Sequence, residues 1–304
     1  MQQYAGFNMG GFLSHADEAS FELAEYSRET ICKLNGATPR VLYHYTSQNG
    51  LLGILESGVL RLGTLDWTDD KTEVMHAAGV FRCELDKVFL TDGLDERGKE
   101  LLAAMRRELN RPLRISNVYS MSVSEDGNNE QLWKLYSEAG SGFAIGIPQD
   151  AFLSATEHPH WAEVWRVSYG KDVLERYCAE ALRVILETYL SRFDRGHEAY
   201  PAWFPPVDQM ALAYLREISH FAAAFKASDW SYQQEWRWAV IQPPEEDSMT
   251  RHLPLPLPLR YPADETCLPI CSITAGPRCN ERIILNVTNM LEPLGYSNVN
   301  FRRV

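Results

Sequence analysis

Alternation and helical periodicity divide the chain into short strands and capped helices. RVLYHYT, ending at Thr46, is rich in β-forming residues and predicts a strand. Ser47 then stands as a helix cap. Leu51, Leu52, Ile54 and Leu55 follow at helical spacing, and Gly58 closes the helix at the expected C′ position. A short strand, VLRLG, comes next. Upstream, Asp17 or Ser20 opens a helix to about Leu34. Downstream, LDWTDDKTEV reads as a loop entering a helix toward about Leu90, and a second helix runs from about Glu96 to Leu109.

The middle of the chain carries the strand PLRISNVYSMSVSED, the amphipathic helix NNEQLWKLYSEAG and the buried strand GFAIGIP. WAEVWRVSYG reads as one further strand. Two longer helices are predicted at about 171–193 and 207–226, with the aromatic loop AYPAWFPP between them. WSYQQEWRWAVIQ has a strong strand signal. LPLPLPLRYP is extended, and its prolines confine it to a sheet edge. CSITAG, CNERIILNVTNMLEPL and NVNFRRV read as strand, helix and strand. Strands and helices mix without a regular βαβ rhythm, so the expected fold is α+β, with mixed, mainly antiparallel sheets packed with helices. The expected organisation is a single domain over 1–304, with a core at about 38–170 and 227–304 and a helical insertion at about 171–226.

Alternation also says which side chains share a strand face. Leu42, His44 and Thr46 point one way in the first strand, and Tyr43 and Tyr45 the other. Ser120, Ser122 and Ser124 share a face of the middle strand. Gln233, Glu235 and Arg237 share a face of the late strand. Three strands thus each offer chemically capable groups: a histidine, a row of hydroxyls, and a glutamate flanked by glutamine and arginine.

Composition narrows the setting. With 304 residues and 45% hydrophobic content the chain can bury a sizeable core. A net charge of −12 weighs against nucleic acid and anionic membrane surfaces as partners. The six cysteines show no CxxC pair, and Cys267, Cys271 and Cys279 lack the pairing of a zinc site, so no metal is expected. His158 and His160 have no completing ligands nearby. No window reaches membrane-span length and the N-terminus has no leader pattern. The expectation is a cytoplasmic protein with reduced thiols. P-loop, Rossmann and GxSxG motifs are absent.

The segments LYHYTSQNGLLGILESGVLRLGTLDWTDDKTE, YSMSVSED with QLWKLYSEAGSGFAIGI, KASDWSYQQEWRW and ITAGPRC occur in this order and span roughly half the chain. In them the chain resembles the bacterial domain-of-unknown-function family 2971. More distantly, that family resembles the ADP-ribosyltransferase superfamily, through a histidine in an early strand, a polar or aromatic middle strand and helix, and a glutamate in a late strand. The resemblance implies an ADP-ribosyltransferase-like core and NAD as substrate. It implies either transfer of ADP-ribose to a protein or small-molecule acceptor or hydrolysis of NAD, and a role as a toxin or defence effector.

Carried onto this sequence, Glu235 would stabilise the oxocarbenium cation and His44 would bond a ribose hydroxyl, with Tyr45 and Thr46 beside it. Ser120 or Ser122 would support the glutamate or the cofactor. Tyr136 or Trp133 would stack on nicotinamide. Gln233 would orient the acceptor, and Arg237 would complete the cofactor-binding set.

Each residue has a plainer use. His44 suits a bond to a backbone carbonyl, and Glu235 with Arg237 suits a surface ion pair. The serines suit a solvated strand face, and Trp133 and Tyr136 suit a helix core. Asp69, Asp70 and Glu73 suit the acidic start of a helix. The alternative expectation is therefore a non-catalytic module that binds a nucleotide-like ligand or a protein on the same fold.

Overall fold

The strand bearing the serine row has two different neighbours along one of its edges, and this fork positions the site. In the computed structural model the described residues are 15–64, 72–91, 93–109, 118–151, 162–194, 206–241, 252–255 and 267–304. The loop residues Asp69 and Asp70, the pair His158 and His160, and all of AYPAWFPP but its last proline lie outside them.

Strand β1 (Val41–Thr46) leads through Ser47 into α2 (Gln48–Ser57). The Ser47 side chain accepts from the Gly50 amide, and Gly58 ends the helix at φ 61°, in the left-handed region. Thr46 sits directly beneath the first turn. A Cβ on Gly50 would lie 2.1 Å from Thr46 Oγ1, so only glycine allows the strand and helix to meet this closely. Strand β2 (Leu60–Thr64) follows.

The main sheet is built around β3 (Val118–Ser124) and β8 (Glu235–Ile241), which pair antiparallel over their whole length from Val118↔Ile241 to Ser124↔Glu235. Strand β5 (Ala162–Arg166) covers the other edge of β8. The remaining edge of β3 is shared. Its end pairs with β1 at Tyr43↔Ser124, and its start pairs with β2 at Gly63↔Ser120 and Thr64↔Tyr119. From β1 the sheet continues through β4 (Phe143–Pro148) and β10 (Ser272–Ala275) to β11 (Asn300–Arg303). From β2 it continues to β9 (His252–Leu255), the last strand of that branch among the described residues. The β10–β11 pair is parallel and the other ladders of this sheet are antiparallel. The fold is α+β with a mixed, mainly antiparallel sheet.

One face of this sheet is apolar. Leu42, Leu62, Tyr119, Met121, Val123, Ile145, Trp236 and Trp238 form a buried cluster with Leu51 and Leu55 of α2 and with Val287 and Leu291 of α8 (Glu281–Leu291). The opposite face carries α5 (Glu130–Tyr136), with Trp133 edge-on to Tyr45 at 4.8 Å between ring centroids.

The chain divides into two compact units. The sheet belongs to the unit made of Ile31–Ala77, Arg114–Leu174 and His220–Val304. The other unit, Met1–Thr30, Ala78–Leu113 and Glu175–Ser219, is helical in its described part. It takes segments of α1 (His15–Asn35), α3 (Thr72–Phe89), α6 (Lys171–Asp194) and α7 (Val207–Ala222), together with α4 (Glu96–Leu109). Its core holds Leu101, Met105, Leu182, Ile185, Tyr189 and Tyr214. Ser27 and Tyr177 hydroxyls meet at 2.9 Å inside it, and Thr188 donates to Glu22 at 2.8 Å.

Three elements depart from the sequence reading. The helix expected to reach residue 226 stops at Ala222, and Phe225–Lys226 forms β7, parallel to β6 (Ser168–Tyr169). WAEVWRVSYG is correspondingly two strands, β5 and β6. The late strand begins at Glu235, because Ser228–Gln233 winds into a 3₁₀ turn and Gln234 takes a left-handed conformation at φ 42°. Long-range pairing with β6 and local turn hydrogen bonds here outweigh the strand preference of the sequence.

Candidate functional site

Cross-strand register decides which side chains meet. Residues directly opposite each other in a ladder share a face. Tyr43 opposite Ser124, Gly63 opposite Ser120, and Arg237 and Glu235 opposite Ser122 and Ser124 put the serine row, the glutamate and the arginine on the α5 side of the sheet. A cleft of about 290 Å³ opens there. It is lined by Tyr43, His44, Tyr45, Arg61, Ser120, Ser122, Ser124, Tyr136, Lys226, Trp230, Gln233, Glu235 and Arg237, among others.

Glu235 is the centre of a buried ionic cluster. Its Oε1 accepts from Ser122 Oγ at 2.6 Å and from Arg237 Nε at 2.9 Å, and its Oε2 accepts from Lys226 Nζ at 2.6 Å. Glu235 is 3% exposed, Arg237 1% and Lys226 7%, so the expected surface ion pair is instead a buried one. Burial pushes the Glu235 carboxyl upward. The charges of Arg237 and Lys226, with their hydrogen bonds, override this and bring it down to about 2. The group is a permanent anion at neutral pH. A carboxylate has about four lone-pair positions. Three are filled here, and the fourth, on Oε2, has no partner among the described residues.

His44 reaches the same serine from a different side. Alternation places it with Leu42, opposite Ile145, toward the apolar face. The fork between β1 and β2 leaves room for its ring beside β3, where Nδ1 lies 3.1 Å from the Ser122 carbonyl. A carbonyl only accepts, so Nδ1 carries the proton. Burial lowers the His44 pKa, opposed by this hydrogen bond, and the ring is neutral at pH 7 with Nε2 as an acceptor. Ser122 therefore ties the two residues together: its carbonyl holds His44 and its hydroxyl holds Glu235.

The aromatic positions separate clearly. Trp133 is 3% exposed and packs with Tyr45, Leu132 and Ala144, with its indole N–H donating to Asn128. It is a core residue, not a cleft residue. Tyr136, one helical turn later, lines the cleft and accepts from Gln233 Nε2 at 3.1 Å. Tyr45 lines the cleft and also anchors α5. Its hydroxyl donates to the Asp126 carbonyl at 2.7 Å and accepts from the Asn129 amide at 2.9 Å, and Asn129 caps the helix. Burial raises the Tyr45 pKa.

Two positions lie differently from the strand-face reading. Thr46 does not line the cleft, since it lies under α2 against Gly50. Gln233 reaches the cleft from the 3₁₀ turn and not by strand alternation with Glu235. Its amide is bound at both ends, with Oε1 accepting from Lys226 Nζ at 3.0 Å and Nε2 donating to Tyr136. Ser120 and Ser124 also line the cleft, but the Ser124 hydroxyl donates to the Gln233 carbonyl at 2.7 Å and serves the turn.

Sequence reasoning missed Tyr43, Arg61, Lys226 and Trp230. Tyr43 is legible in the sequence, since it shares a strand face with Tyr45. Lys226 was not, because it depends on the helix stopping early and on β7 forming. Trp230 sits under a cation, with Lys226 Nζ 5.8 Å from its ring centroid. Among the described residues no group of three or more His, Cys, Asp or Glu converges to hold a metal, and no helix is long and apolar enough to cross a membrane.

Residues 132–238 match the model of a family described as protein of unknown function (DUF2971). This span contains Tyr136, Lys226, Gln233, Glu235 and Arg237, and it stops short of His44 and Ser122. No curated protein and no solved structure matches the chain.

Proposed function

We propose that the cleft binds NAD and cleaves its nicotinamide–ribose bond, on an ADP-ribosyltransferase-like core. The observation that carries this reading is the Ser122 junction, which brings the strand histidine and the strand glutamate into one cleft through a single residue. As the glycosidic bond breaks, its electron pair leaves with the nicotinamide and positive charge develops on the ribose. A fixed anion beside that carbon stabilises the transition state. Glu235, ionised down to about pH 2, suits this role and not that of a proton carrier. The open position on Oε2 takes a ribose hydroxyl, His44 Nε2 accepts from a second one, and Tyr136 faces the nicotinamide ring. A nucleophile then bonds to the ribose carbon and gives its proton to solvent. It is water for hydrolysis, or a protein or small-molecule acceptor for transfer.

The cleft volume of about 290 Å³ suits a nucleoside-sized portion of the ligand, since small-molecule sites run from about 300 to 1,000 Å³. The test is free nicotinamide released from NAD by the full chain. Glu235→Gln should reduce it by about a thousandfold or more. Unchanged turnover in that variant ends this assignment.

A second reading draws on the same cluster. Lys226 and Arg237 fill most of the Glu235 acceptor positions, as in a buried network that only stabilises the fold. The cleft would then be a binding module. In that case NAD raises the melting temperature while no nicotinamide is formed.

A further inference from the structure

We infer that Lys226 is a positioning residue of the cleft, fixing the Glu235 carboxylate and the Gln233 amide with one ammonium group. The inference rests on the reading of Glu235 as the charge-stabilising group. Lys226 enters from β7, whose backbone is pinned to β6 by the Ser168 amide to the Ala224 carbonyl at 2.8 Å and the Gly170 amide to the Lys226 carbonyl at 3.2 Å. From that anchored position Nζ donates to Glu235 Oε2 at 2.6 Å and to Gln233 Oε1 at 3.0 Å.

Each bond sets an orientation. Among the described residues Lys226 is the one donor to Oε2, while Ser122 and Arg237 both hold Oε1. Without Lys226 the carboxylate is held at one oxygen only, and the oxygen that would meet the ligand is free to turn. The bond to Gln233 Oε1 fixes which end of that amide faces Tyr136, and so it sets the donor that meets the Tyr136 hydroxyl. Lys226 also lies over Trp230. One side chain therefore links the glutamate, the amide and two aromatic residues of the cleft.

Other groups face this cluster. Arg237 comes from β8, Ser122 from β3, and the Tyr169 hydroxyl from β6 accepts the Glu235 backbone amide at 2.9 Å. Tyr232 stands in the turn, and His44 and Arg61 line the same cleft. Among these, Arg237 remains to hold Oε1 when Lys226 is removed, so the loss is one of geometry at Oε2 and of one of the two cations bonded to Glu235.

The experiment uses the full chain and two independent readings. One is nicotinamide release, separated into kcat and KM for NAD. The other is the titration of the Glu235 carboxyl by carbon-13 NMR, assigned with Glu235→Gln. Lys226→Met should lower kcat about a hundredfold, as expected for a displaced reacting group, with KM within about threefold. It should also move the carboxyl midpoint upward by about one pH unit or more. Lys226→Arg returns a cation, and it should bring the midpoint back down and recover part of the lost kcat. A folded Lys226→Met protein with wild-type kcat and midpoint overturns the assignment.

Where Lys226→Met does not fold, Lys226→Gln keeps a donor without the charge, and the same two readings decide. If the wild-type chain releases no nicotinamide, the proposed function fails. The carboxyl titration then judges Lys226 alone, because it needs no substrate, and an unchanged midpoint overturns the assignment.

Discussion

The two faces of β3 and β8 are both buried except at Ser122, which is exposed, yet they are held by opposite physics. On one face Tyr119, Met121, Val123, Trp236 and Trp238 pack against α2 and α8 in an apolar cluster. On the other, Ser120, Ser122, Ser124, Glu235 and Arg237 stand around a cleft, with the ions closed off from solvent almost as completely as the tryptophans. Apolar burial is non-directional and stabilises wherever the shapes fit. An ionic face is stable only when each charge keeps its partner, because the desolvation of every ion must be offset by geometry. A protein that wanted stability alone would gain as much from a second apolar face. The ionic face is therefore where function is sought, and the apolar face is what holds it in place.

The sharpest way to separate the faces is to truncate one side at a time. Trp238→Ala on the apolar side should cost about 3–5 kcal/mol, a cavity effect, and the cost should be the same at neutral and acid pH. Chemical denaturation at the two pH values checks this, and a strong pH dependence would break the comparison.

On the ionic side the effect depends on pH. The folded Glu235 value of about 2 lies below the unfolded value of about 4.3. The stability it contributes is complete above about pH 4.3 and is lost as the pH falls toward 2. At neutral pH this amounts to about 3 kcal/mol. Glu235→Gln should be less stable than wild type by about that amount at pH 7, and the gap should close near pH 2. A gap that stays constant would mean that the charge itself is not what the cluster holds.

A smaller effect is expected at the junction. Ser122→Ala removes one charge-assisted hydrogen bond but leaves the carbonyl that holds His44. It should cost about 1.5–3 kcal/mol and reduce any nicotinamide release by about tenfold to a hundredfold. Equal loss in a variant of Ser120, whose hydroxyl has no such bond to Glu235 among the described contacts, would remove the special place given to Ser122.

The smallest effect belongs to His44. Its folded pKa is lowered by burial. The stability from its neutral form is complete above about pH 6.5 and is lost as the pH falls below that value. Nitrogen-15 NMR should find the proton on Nδ1 at pH 7 and a midpoint below about 6.5. A proton on Nε2 instead would contradict the bond to the Ser122 carbonyl and remove the acceptor offered to a ribose.

The sequence carried much of this site, but unevenly. Alternation in YSMSVS and EWRWAV separated the polar from the apolar residues of β3 and β8, and the polar set lines the cleft together with Met121 and Val123. It also set His44 apart from Tyr43 and Tyr45. The choice between Trp133 and Tyr136 stayed open, because positions three apart on a helix share a face until something packs against one of them. Tyr45 does so, and it takes Trp133 into the core. Gln233 lines the cleft, but a turn and not strand alternation delivers it there.

What the sequence determined by itself is local: the capped helix after His44, the face of each strand, and the α+β mixture. These follow from backbone periodicity and from interactions within a few residues. The tertiary structure decided the rest. Only the shared edge of β3, where β1 and β2 divide, lets a histidine from the apolar side enter the cleft. Only the pairing of β7 with β6 ends a helix early enough to deliver Lys226 to Glu235. Both depend on register between segments far apart in the chain. Register is fixed by the joint packing of many side chains, and no single segment contains that information.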